Sequence, residues 1–401
     1  MLKVKETIDA QFNIICFGFL PWSHMWKRNQ SMMAEMSQWD FIHQLIFVNP
    51  TISVRTLLKR ENNPSNGFLW ATPPKNLTRI SPIISVYTPI TFLPCKQVLP
   101  ALGRIENQIT LKMIRHANKG KRYILFMNCP NIASPEILEE LLEHASLSFF
   151  DISDDFLELG YDANTRELFR RNMTKYAKAA DIVLTVNEHV KNKYAYLNHN
   201  MHVIRNGTNY DNFDRPTYKA VEILEGIKQN GKPIVGYIGI ANMGRIDADL
   251  FDFLLERRPG WQFVFVGPVH PNFIERYAKH KNVYTIGPVH YQELPCYIQY
   301  FDVAFVPFSN NENTKGNDLL KLHDFLAMGK PVVSTDIGGA KDLKEVIQVA
   351  STPFEFVEAI EKALHSDNDE DVVRRKSVAL KNSWHNRIKE MEKMVREKLG
   401  N

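Results

Sequence analysis

The amino-acid sequence predicts an α/β protein made of two doubly wound parallel sheets. Along most of the 401 residues, short apolar runs alternate with segments of helical periodicity, as is typical of parallel strands covered by helices. A polar stretch at 208–220, TNYDNFDRPTYKA, interrupts this alternation near the middle. The chain is also longer than one hydrophobic core usually supports. We therefore expect two domains joined by a short linker.

The predicted strands divide between the two halves. In the first half the apolar runs are 13–19, 44–49, 123–128, 147–152 and 181–186. In the second half they are 232–239, 261–267, 282–287, 301–308 and 330–335. Helical periodicity is clear in two segments, 164–180 and 247–257. The apolar face of the first is Leu168, Phe169, Met173, Tyr176 and Ala177. Two such sheets would face a cleft, with functional side chains in the loops that follow the strands.

Composition and charge exclude several classes of protein. The net charge of +4 is too small to indicate a nucleic-acid partner. The four cysteines, Cys16, Cys95, Cys129 and Cys296, are too far apart for a zinc or disulfide motif. Apolar runs stay shorter than a membrane span, and the N-terminal segment lacks the design of a signal peptide. These features favour a cytoplasmic protein.

The stretch at 311–333, NENTKGNDLLKLHDFLAMGKPVV, lies between two predicted strands. Its helix is expected to begin near Asp318 and to end at Gly329. A helix N-terminus attracts anions, and Lys321 on the first turn would add a cation for a diphosphate. Asp324, one turn further, would accept hydrogen bonds from ribose hydroxyls. The alternative is a surface ion pair of little energetic consequence.

Other residues of the second half are candidates for the same site. Asn311 and Thr314 would donate hydrogen bonds to phosphate oxygens. Arg245, in the loop after the run 232–239, would bind a phosphate, or be an ordinary solvated arginine. Gly239 and Gly267 would let the backbone approach a ligand closely, or serve as turn glycines.

These motifs resemble the donor site of nucleotide-sugar glycosyltransferases with the GT-B fold. The most similar group is the family 4-like bacterial enzymes of cell-surface polysaccharide assembly, including teichuronic-acid-type transferases. The matching motifs are Asn311-Glu-Asn-Thr314, Leu319-Leu-Lys321-Leu-His-Asp324 and Phe325-Leu-Ala-Met-Gly329-Lys-Pro331-Val-Val333. Leu319 stands where the family has proline, and Asp324 where it has glutamate.

The resemblance covers most of the chain. Further similar segments are 203–213, 235–247, 263–269, 293–308 and 383–391. It implies an acceptor-binding domain at 1–208, a nucleotide-sugar-binding domain at 209–372 and a C-terminal helix at 373–401 that returns to the first domain. The implied reaction moves a sugar from a nucleoside diphosphate sugar, with UDP favoured, to a surface polysaccharide or polyprenyl-linked acceptor. No metal or other cofactor is expected.

The loop at 18–30, GFLPWSHMWKRNQ, follows the first predicted strand. By resemblance to the family it lines the active site. Trp22 and Trp26 suit stacking on sugar rings or contact with a lipid carrier, and Arg28 suits a phosphate of the acceptor. His24 is a candidate general base, although a lone histidine is more often structural.

The segment FFDISDDF, at 149–156, ends another predicted strand with the acids Asp151, Asp154 and Asp155. In related inverting transferases such an aspartate accepts the proton of the acceptor hydroxyl, so Asp154 or Asp155 is the first candidate for the base. The competing roles are capping of the next helix and a metal site. Family 4 membership implies retention of configuration, whereas this segment favours inversion, so the stereochemistry stays open.

The segment 96–122 carries many cations, interspersed with apolar residues and a single acid, Glu106. Such a basic amphipathic segment would suit docking on an anionic membrane surface. An ordinary solvated helix face is the alternative.

Two other functions stay open. One is a nucleotide-sugar epimerase of the same two-domain plan, and the other is a non-catalytic nucleotide-sugar-binding subunit. A dinucleotide enzyme is disfavoured because no G-x-G-x-x-G motif follows the first strand of either half.

Overall fold

The computed structural model describes residues 12–23, 26–54, 77–91, 100–128, 130, 134–159, 161–215, 217–311, 314 and 316–400. The chain divides into two compact units. Unit 1 comprises Met1–Ile204 and Ile388–Asn401, and unit 2 comprises Arg205–Arg387. Each unit is built on one predominantly parallel sheet, as the alternating sequence pattern predicted.

The sheet of unit 1 has the order β10-β9-β8-β7-β1-β2-β5-β4. All its pairings are parallel except that of β4 with β5, and β3 and β6 form a separate parallel pair. The strands are β1 (Phe12–Phe17), β2 (Ile42–Val48), β3 (Ile52–Ser53), β4 (Leu77–Arg79), β5 (Ile84–Tyr87), β6 (Ile90–Thr91), β7 (Arg122–Met127), β8 (Leu147–Ile152), β9 (Ile182–Thr185) and β10 (Met201–Val203). The predicted runs of the first half correspond to β1, β2, β7, β8 and β9. The remaining strands have two to four residues, too few for a recognisable apolar run.

The helices of unit 1 cover its sheet. They are α1 (Arg28–Met36), α2 (Pro100–Asn118), α3 (Pro135–His144), α4 (Ala163–Ala179) and α5 (Glu188–Tyr194). Asp162 begins α4 by accepting hydrogen bonds from the backbone N–H groups of Asn164 and Thr165. The predicted apolar face of α4 is confirmed, because Phe169 and Tyr176 lie in the hydrophobic core with the side chains of β7 and β8.

The sheet of unit 2 is entirely parallel, with the order β13-β12-β11-β14-β15-β16. Its strands are β11 (Ile234–Ile238), β12 (Gln262–Val266), β13 (Val283–Gly287), β14 (Val303–Val306), β15 (Val332–Thr335) and β16 (Gln348–Ala350). The first strand along the chain, β11, lies in the middle of the sheet. β12 and β13 follow on one side of it, and β14, β15 and β16 follow on the other side. In such sheets ligands bind outside the carboxyl ends of the two strands where the order reverses. Here those strands are β11 and β14.

The helices of unit 2 include α11, the helix of the 311–333 stretch. The set is α6 (Tyr210–Phe213), α7 (Glu222–Lys228), α8 (Ala248–Arg257), α9 (Pro271–Tyr277), α10 (Leu294–Ile298), α11 (Leu320–Ala327), α12 (Gly338–Lys341), α13 (Pro353–Ser366) and α14 (Asp369–Lys381). The segment 373–401, predicted as one helix, is instead divided between α14 and α15 (Trp384–Leu399). The division is fixed by a hydrogen bond from the Trp384 N–H to the Thr208 carbonyl, 2.9 Å long.

Two glycines end neighbouring strands in a backbone conformation that other residues rarely adopt. Gly239, after β11, has a φ of +119°, and Gly267, after β12, has a φ of +135°. A Cβ atom on Gly267 would lie only 2.4 Å from the carbonyl oxygen of Gly239. Both the left-handed conformation and the close backbone contact therefore require glycine at 267.

Substitution of this glycine should destabilise the protein. We expect Gly267→Ala to lower the free energy of unfolding by about 2–4 kcal/mol, because backbone strain and a steric clash act together. The measurement is urea unfolding followed by circular dichroism. Gly260→Ala is the matched control, since a Cβ there would meet no atom within 4 Å. Its effect should stay within about 1 kcal/mol. Equal losses in the two variants would contradict the steric argument.

Candidate functional site

The candidate site lies at the carboxyl ends of β11 and β14 in unit 2. Backbone hydrogen bonds join the loops that follow the strands. The N–H of Ala241 donates to Pro268 (2.9 Å), that of Asp247 to Pro307 (2.8 Å) and that of Ser309 to Arg245 (2.8 Å). These hydrogen bonds hold the loops after β11, β12 and β14 together. The backbone from which the side chains at this edge extend is therefore fixed.

Lys321, on the first turn of α11, places its ammonium group at this edge. The Nζ atom is 3.8 Å from the centroid of the Tyr237 ring and 4.8 Å from that of the Phe308 ring. A Cβ atom on Gly239 would lie 2.9 Å from the same Nζ atom. The structure thus brings together Lys321 and Gly239, two of the predicted donor-binding residues, at the point where the strand order reverses.

Arg245 adds a second positive charge near Lys321. It is exposed, in the loop between β11 and α8. Burial raises the pKa of the Tyr237 hydroxyl, and the charge of Arg245 acts in the opposite direction. Arg245 is therefore close enough to affect the same aromatic ring that lies under Lys321. Two cations at one strand edge are suited to binding a diphosphate.

Thr314 does not have the role predicted for it. Its side chain is buried, and its hydroxyl donates within the loop, 2.7 Å from the Ser309 carbonyl and 3.0 Å from the Asn311 carbonyl. The side-chain oxygen of Asn311 in turn accepts a hydrogen bond from the Thr314 N–H, at 3.2 Å. The two residues thus close the loop upon itself. Asn311 is exposed, and its contact with a phosphate stays a prediction, whereas the Thr314 hydroxyl is used for local structure.

Asp324 also differs from its predicted role as a ribose ligand. Its side chain is only 2% exposed. The Oδ1 atom accepts hydrogen bonds from the Thr208 hydroxyl (2.8 Å) and the Tyr291 hydroxyl (3.0 Å). Burial and the neighbouring Asp324 carboxylate raise the pKa of Tyr291 well above its ordinary value. The carboxylate therefore has two hydrogen-bond donors inside unit 2.

Asp318, predicted only as the start of the helix, forms a buried polar pair with His323 that the sequence patterns did not indicate. Asp318 is buried, and its Oδ2 atom accepts a hydrogen bond from the Asn206 N–H at 2.7 Å. The Nε2 atom of buried His323 lies 3.6 Å from the other carboxylate oxygen. Burial alone raises the pKa of Asp318, but its interactions with His323 and Asn206 outweigh this effect and lower it. Asp318 therefore fixes the start of α11, the helix that carries Lys321.

In unit 1, Arg28 is already paired. Its guanidinium group binds Asp151 through two hydrogen bonds, of 3.0 Å from Nε and 2.9 Å from an Nη atom. Asn128 donates a further hydrogen bond of 2.6 Å to the same carboxylate. Arg28 is 5% exposed and Asp151 is fully buried. The predicted phosphate-binding role of Arg28 is therefore corrected: this side chain neutralises a buried carboxylate at the end of β8.

The two tryptophans of the 18–30 loop differ in exposure. Trp22 is buried, with its ring centroid 5.0 Å from that of Phe47 and 6.3 Å from that of Trp26. It is part of the packing rather than the acceptor surface predicted for it. Trp26 is partly exposed and keeps its place as a candidate acceptor contact. His24, the candidate base of this loop, lies outside the described residues.

The two candidate bases after β8 also differ. Asp155 is 4% exposed, and its carboxylate accepts hydrogen bonds from Lys193 (2.7 Å) and the Tyr194 hydroxyl (2.5 Å). Burial and this carboxylate raise the pKa of Tyr194. Asp155 therefore anchors α5 and is badly placed to act as the predicted base. Asp154 is partly exposed and stays the candidate.

Within the described residues, no cluster of three or more His, Cys, Asp or Glu side chains has the arrangement of a metal site. No described helix combines the length and the hydropathy that a membrane-spanning segment requires.

Comparison with known families matches residues 239–366 to the family described as Glycosyl transferases group 1. The matched residues lie within unit 2. A relative of this chain is TuaH of Bacillus subtilis (strain 168), which bears the name of a teichuronic acid biosynthesis glycosyltransferase. The two are 27% identical over 198 residues, which cover 46% of this chain and 48% of TuaH. The chain thus matches about half the length of this relative.

The fold is similar to that of solved structures over nearly the whole chain. Sucrose-phosphate synthase from Thermosynechococcus elongatus has a TM-score of 0.65 at 14% identity, with 96% of this chain and 98% of that chain covered. Anabaena Alr3699/HepE, in complex with UDP and glucose, has a TM-score of 0.64 at 12% identity, with coverage of 96% and 99%. At these identities the likeness concerns the fold. These comparisons confirm the predicted GT-B fold. They also confirm the predicted resemblance of this chain to glycosyltransferases.

The buried ion pair of unit 1 should be important for stability. Arg28→Met leaves the Asp151 carboxylate buried without its cation, so we expect the free energy of unfolding to fall by about 3–5 kcal/mol. Urea unfolding followed by circular dichroism measures this change. Arg170→Met is the matched control, because Arg170 and its partner Glu167 are both exposed and such pairs contribute at most about 1 kcal/mol.

A second substitution tests the physical reason. Adding Asp151→Leu to Arg28→Met removes the uncompensated charge and should restore part of the lost stability. A double variant as unstable as the sum of the two single variants would contradict the ion-pair explanation.

Proposed function

We propose that the protein is a glycosyltransferase that takes a sugar from a UDP-sugar bound at the carboxyl edge of the unit 2 sheet. One observation carries this proposal. The ammonium group of Lys321 lies beside Gly239 where the strand order reverses, within a glycosyl transferases group 1 domain. The choice of UDP is supported by Alr3699/HepE, a protein of similar fold with bound UDP.

In this proposal the cations act on the leaving group. Cleavage of the bond between sugar and diphosphate develops negative charge on the diphosphate oxygens. Lys321 and Arg245, together with the N-terminus of α11, would stabilise that charge, and donors already in place need little reorganisation. Binding would need no metal, because these groups supply the positive charge. The partly exposed Asp154 would accept the proton of the acceptor hydroxyl if the reaction inverts the anomeric centre.

The proposed acceptor is a cell-surface polysaccharide or a polyprenyl-linked glycan, at the cytoplasmic face of the membrane. The relation to TuaH, named for teichuronic acid biosynthesis, supports a surface polymer. Trp26, in the 18–30 loop, is partly exposed and could stack on a sugar ring.

A non-catalytic nucleotide-sugar-binding subunit is the second candidate. It is favoured by the burial of two acids predicted to act on substrate. Asp324 is held by Thr208 and Tyr291, and Asp155 by Lys193 and Tyr194. This candidate predicts donor binding without sugar transfer.

The first test is nucleotide binding by the whole chain. UDP at about 100 times its dissociation constant should add about 2.7 kcal/mol of apparent stability, seen as a rise in Tm. Lys321→Ala should weaken UDP binding about tenfold or more, because a charge-assisted hydrogen bond is lost. Lys281→Ala is the matched control, since this exposed lysine precedes β13 at the opposite edge of the sheet, and it should bind UDP as the wild type does.

Further outcomes separate the two candidates. Absence of UDP binding by the wild type, or equal binding by wild type and Lys321→Ala, would refute the donor site. Release of UDP from a UDP-sugar, slowed in Lys321→Ala, supports the transferase. Tight binding of UDP-sugars without any release of UDP would instead support the non-catalytic subunit.

We also propose that unit 1 docks on an anionic membrane through the exposed face of α2. On this face Ile105 and Ile109 are 54% and 53% exposed, and they lie one turn apart. The same segment carries exposed cations: Arg104, Lys112, Lys119 and Arg115, which is paired with Glu140. The opposite face packs into the core through Leu111 and Ile114. Exposed apolar side chains in a segment that also carries exposed cations are suited to a surface of anionic lipids.

Liposome sedimentation tests this docking. The wild type should bind vesicles containing phosphatidylglycerol but not pure phosphatidylcholine, and high salt should weaken binding. Replacing Ile105 and Ile109 by serine should weaken it about tenfold or more, because apolar surface no longer enters the bilayer. The matched control replaces Ile223 and Ile274, exposed isoleucines of unit 2, and should bind normally. Equal binding by both double variants would contradict the proposal.

A further inference from the structure

We infer that Tyr237 is a positioning residue for nucleotide binding: its ring holds the ammonium group of Lys321 where the diphosphate is bound. This inference rests on the proposed function and assigns a role to a residue of the β11 interior. It concerns the contact between one aromatic ring and one cation, both of which the structure places at the carboxyl edge of the unit 2 sheet.

The contact has the geometry of a cation–π interaction. The Lys321 Nζ atom lies 3.8 Å from the Tyr237 ring centroid, well within the roughly 6 Å over which a ring face attracts a cation. The Phe308 ring contacts the same ammonium group from 4.8 Å. Gly239 leaves the space that the ammonium group occupies, because a Cβ there would lie 2.9 Å from it. Two rings and a missing side chain therefore contribute to the position of the cation.

The Tyr237 ring is itself fixed. It is fully buried, and its hydroxyl donates a 3.0 Å hydrogen bond to the Ile240 carbonyl. Its centroid is 5.4 Å from that of Phe265 and 6.3 Å from that of Phe305. A cation attached to such a rigid surface has already lost much of its rotamer freedom before the ligand arrives. Binding then costs less conformational entropy than it would for a mobile lysine.

The position of Tyr237 in its strand favours this role over simple packing. The other large side chains of β11 that fill the interior are aliphatic, namely Ile234, Val235 and Ile238. The aromatic residue is Tyr237, two residues before Gly239, and its ring contacts the cation. Its phenol hydrogen bond also orders the start of the loop that carries Arg245.

The test is a double-mutant cycle in UDP affinity, measured by calorimetry on the full chain. Tyr237→Leu should raise the Kd for UDP about three- to tenfold, since the lysine must now be immobilised on binding. Tyr237→Phe retains the ring and should stay within about twofold of the wild type. In a Lys321→Ala background, Tyr237→Leu should produce no further change, because the residue acts through the lysine.

A matched control separates this role from general damage to the core. Phe251→Leu removes another buried ring of the same aromatic cluster, one that packs on Phe265 and Phe305 rather than on Tyr237, and should leave the Kd for UDP unchanged. If it weakens binding as much as Tyr237→Leu does, or if Tyr237→Leu has the same effect with and without Lys321, the inference is overturned. If Tyr237→Leu does not fold, Phe308→Leu takes its place in the cycle, with the same coupling to Lys321 expected.

The cycle also distinguishes this inference from the function on which it rests. A wild-type protein that does not bind UDP refutes the donor site, and with it the role of Tyr237. A wild-type protein that binds UDP through Lys321, without coupling to either ring, keeps the donor site and overturns only the positioning role.

Discussion

The close approach of the backbone at Gly239 and Gly267 is the constraint on which the candidate site depends. Parallel strands β11 and β12 end side by side, and the two chains come so near that a single Cβ on Gly267 would meet the carbonyl oxygen of Gly239. Because neither residue has a side chain, the space above the strand ends stays open to Lys321. The loops that follow are then joined by backbone hydrogen bonds from Ala241, Asp247 and Ser309. A pair of glycines thus sets where the cation lies and how firmly its surroundings are held.

The charged groups of the two units have different kinds of partner. Unit 1 buries carboxylates at the end of β8 and matches each with donors: Asp151 with Arg28 and Asn128, and Asp155 with Lys193 and Tyr194. Buried charges of this kind are costly to desolvate and contribute mainly a defined geometry. In unit 2, Lys321 lies against the faces of two aromatic rings, which attract the cation and help to fix its position.

Local patterns in the sequence predicted the main strands and several site residues, but not the partners of the buried acids. The apolar runs that became β1, β7, β11 and β14 were long enough to recognise, because their residues are buried on both faces of a sheet. Asp324, in contrast, is bound by Thr208 and Tyr291, which lie 116 and 33 residues away in the chain. A local sequence pattern cannot predict hydrogen-bond partners that are so far away in the chain. The segment FFDISDDF likewise contains three acids of identical chemistry, and only the fold distinguishes the partly exposed Asp154 from its buried neighbours.

Lys321, near the start of α11, lies between two aspartates that fix the helix. Asp318 lies three residues before the lysine, just ahead of the helix, and Asp324 lies three residues after it. Both aspartates bind the same short segment. Asp318 accepts a hydrogen bond from the Asn206 N–H, and Asp324 accepts one from the Thr208 hydroxyl. Between these two residues, Gly207 lies so close to the chain at 382–384 that a Cβ there would be 2.7 Å from the Asn382 carbonyl. The acids thus hold α11 at two points against a segment that cannot move aside. The helix is fixed in both position and rotation, so that the lysine between the acids is directed to the strand edge.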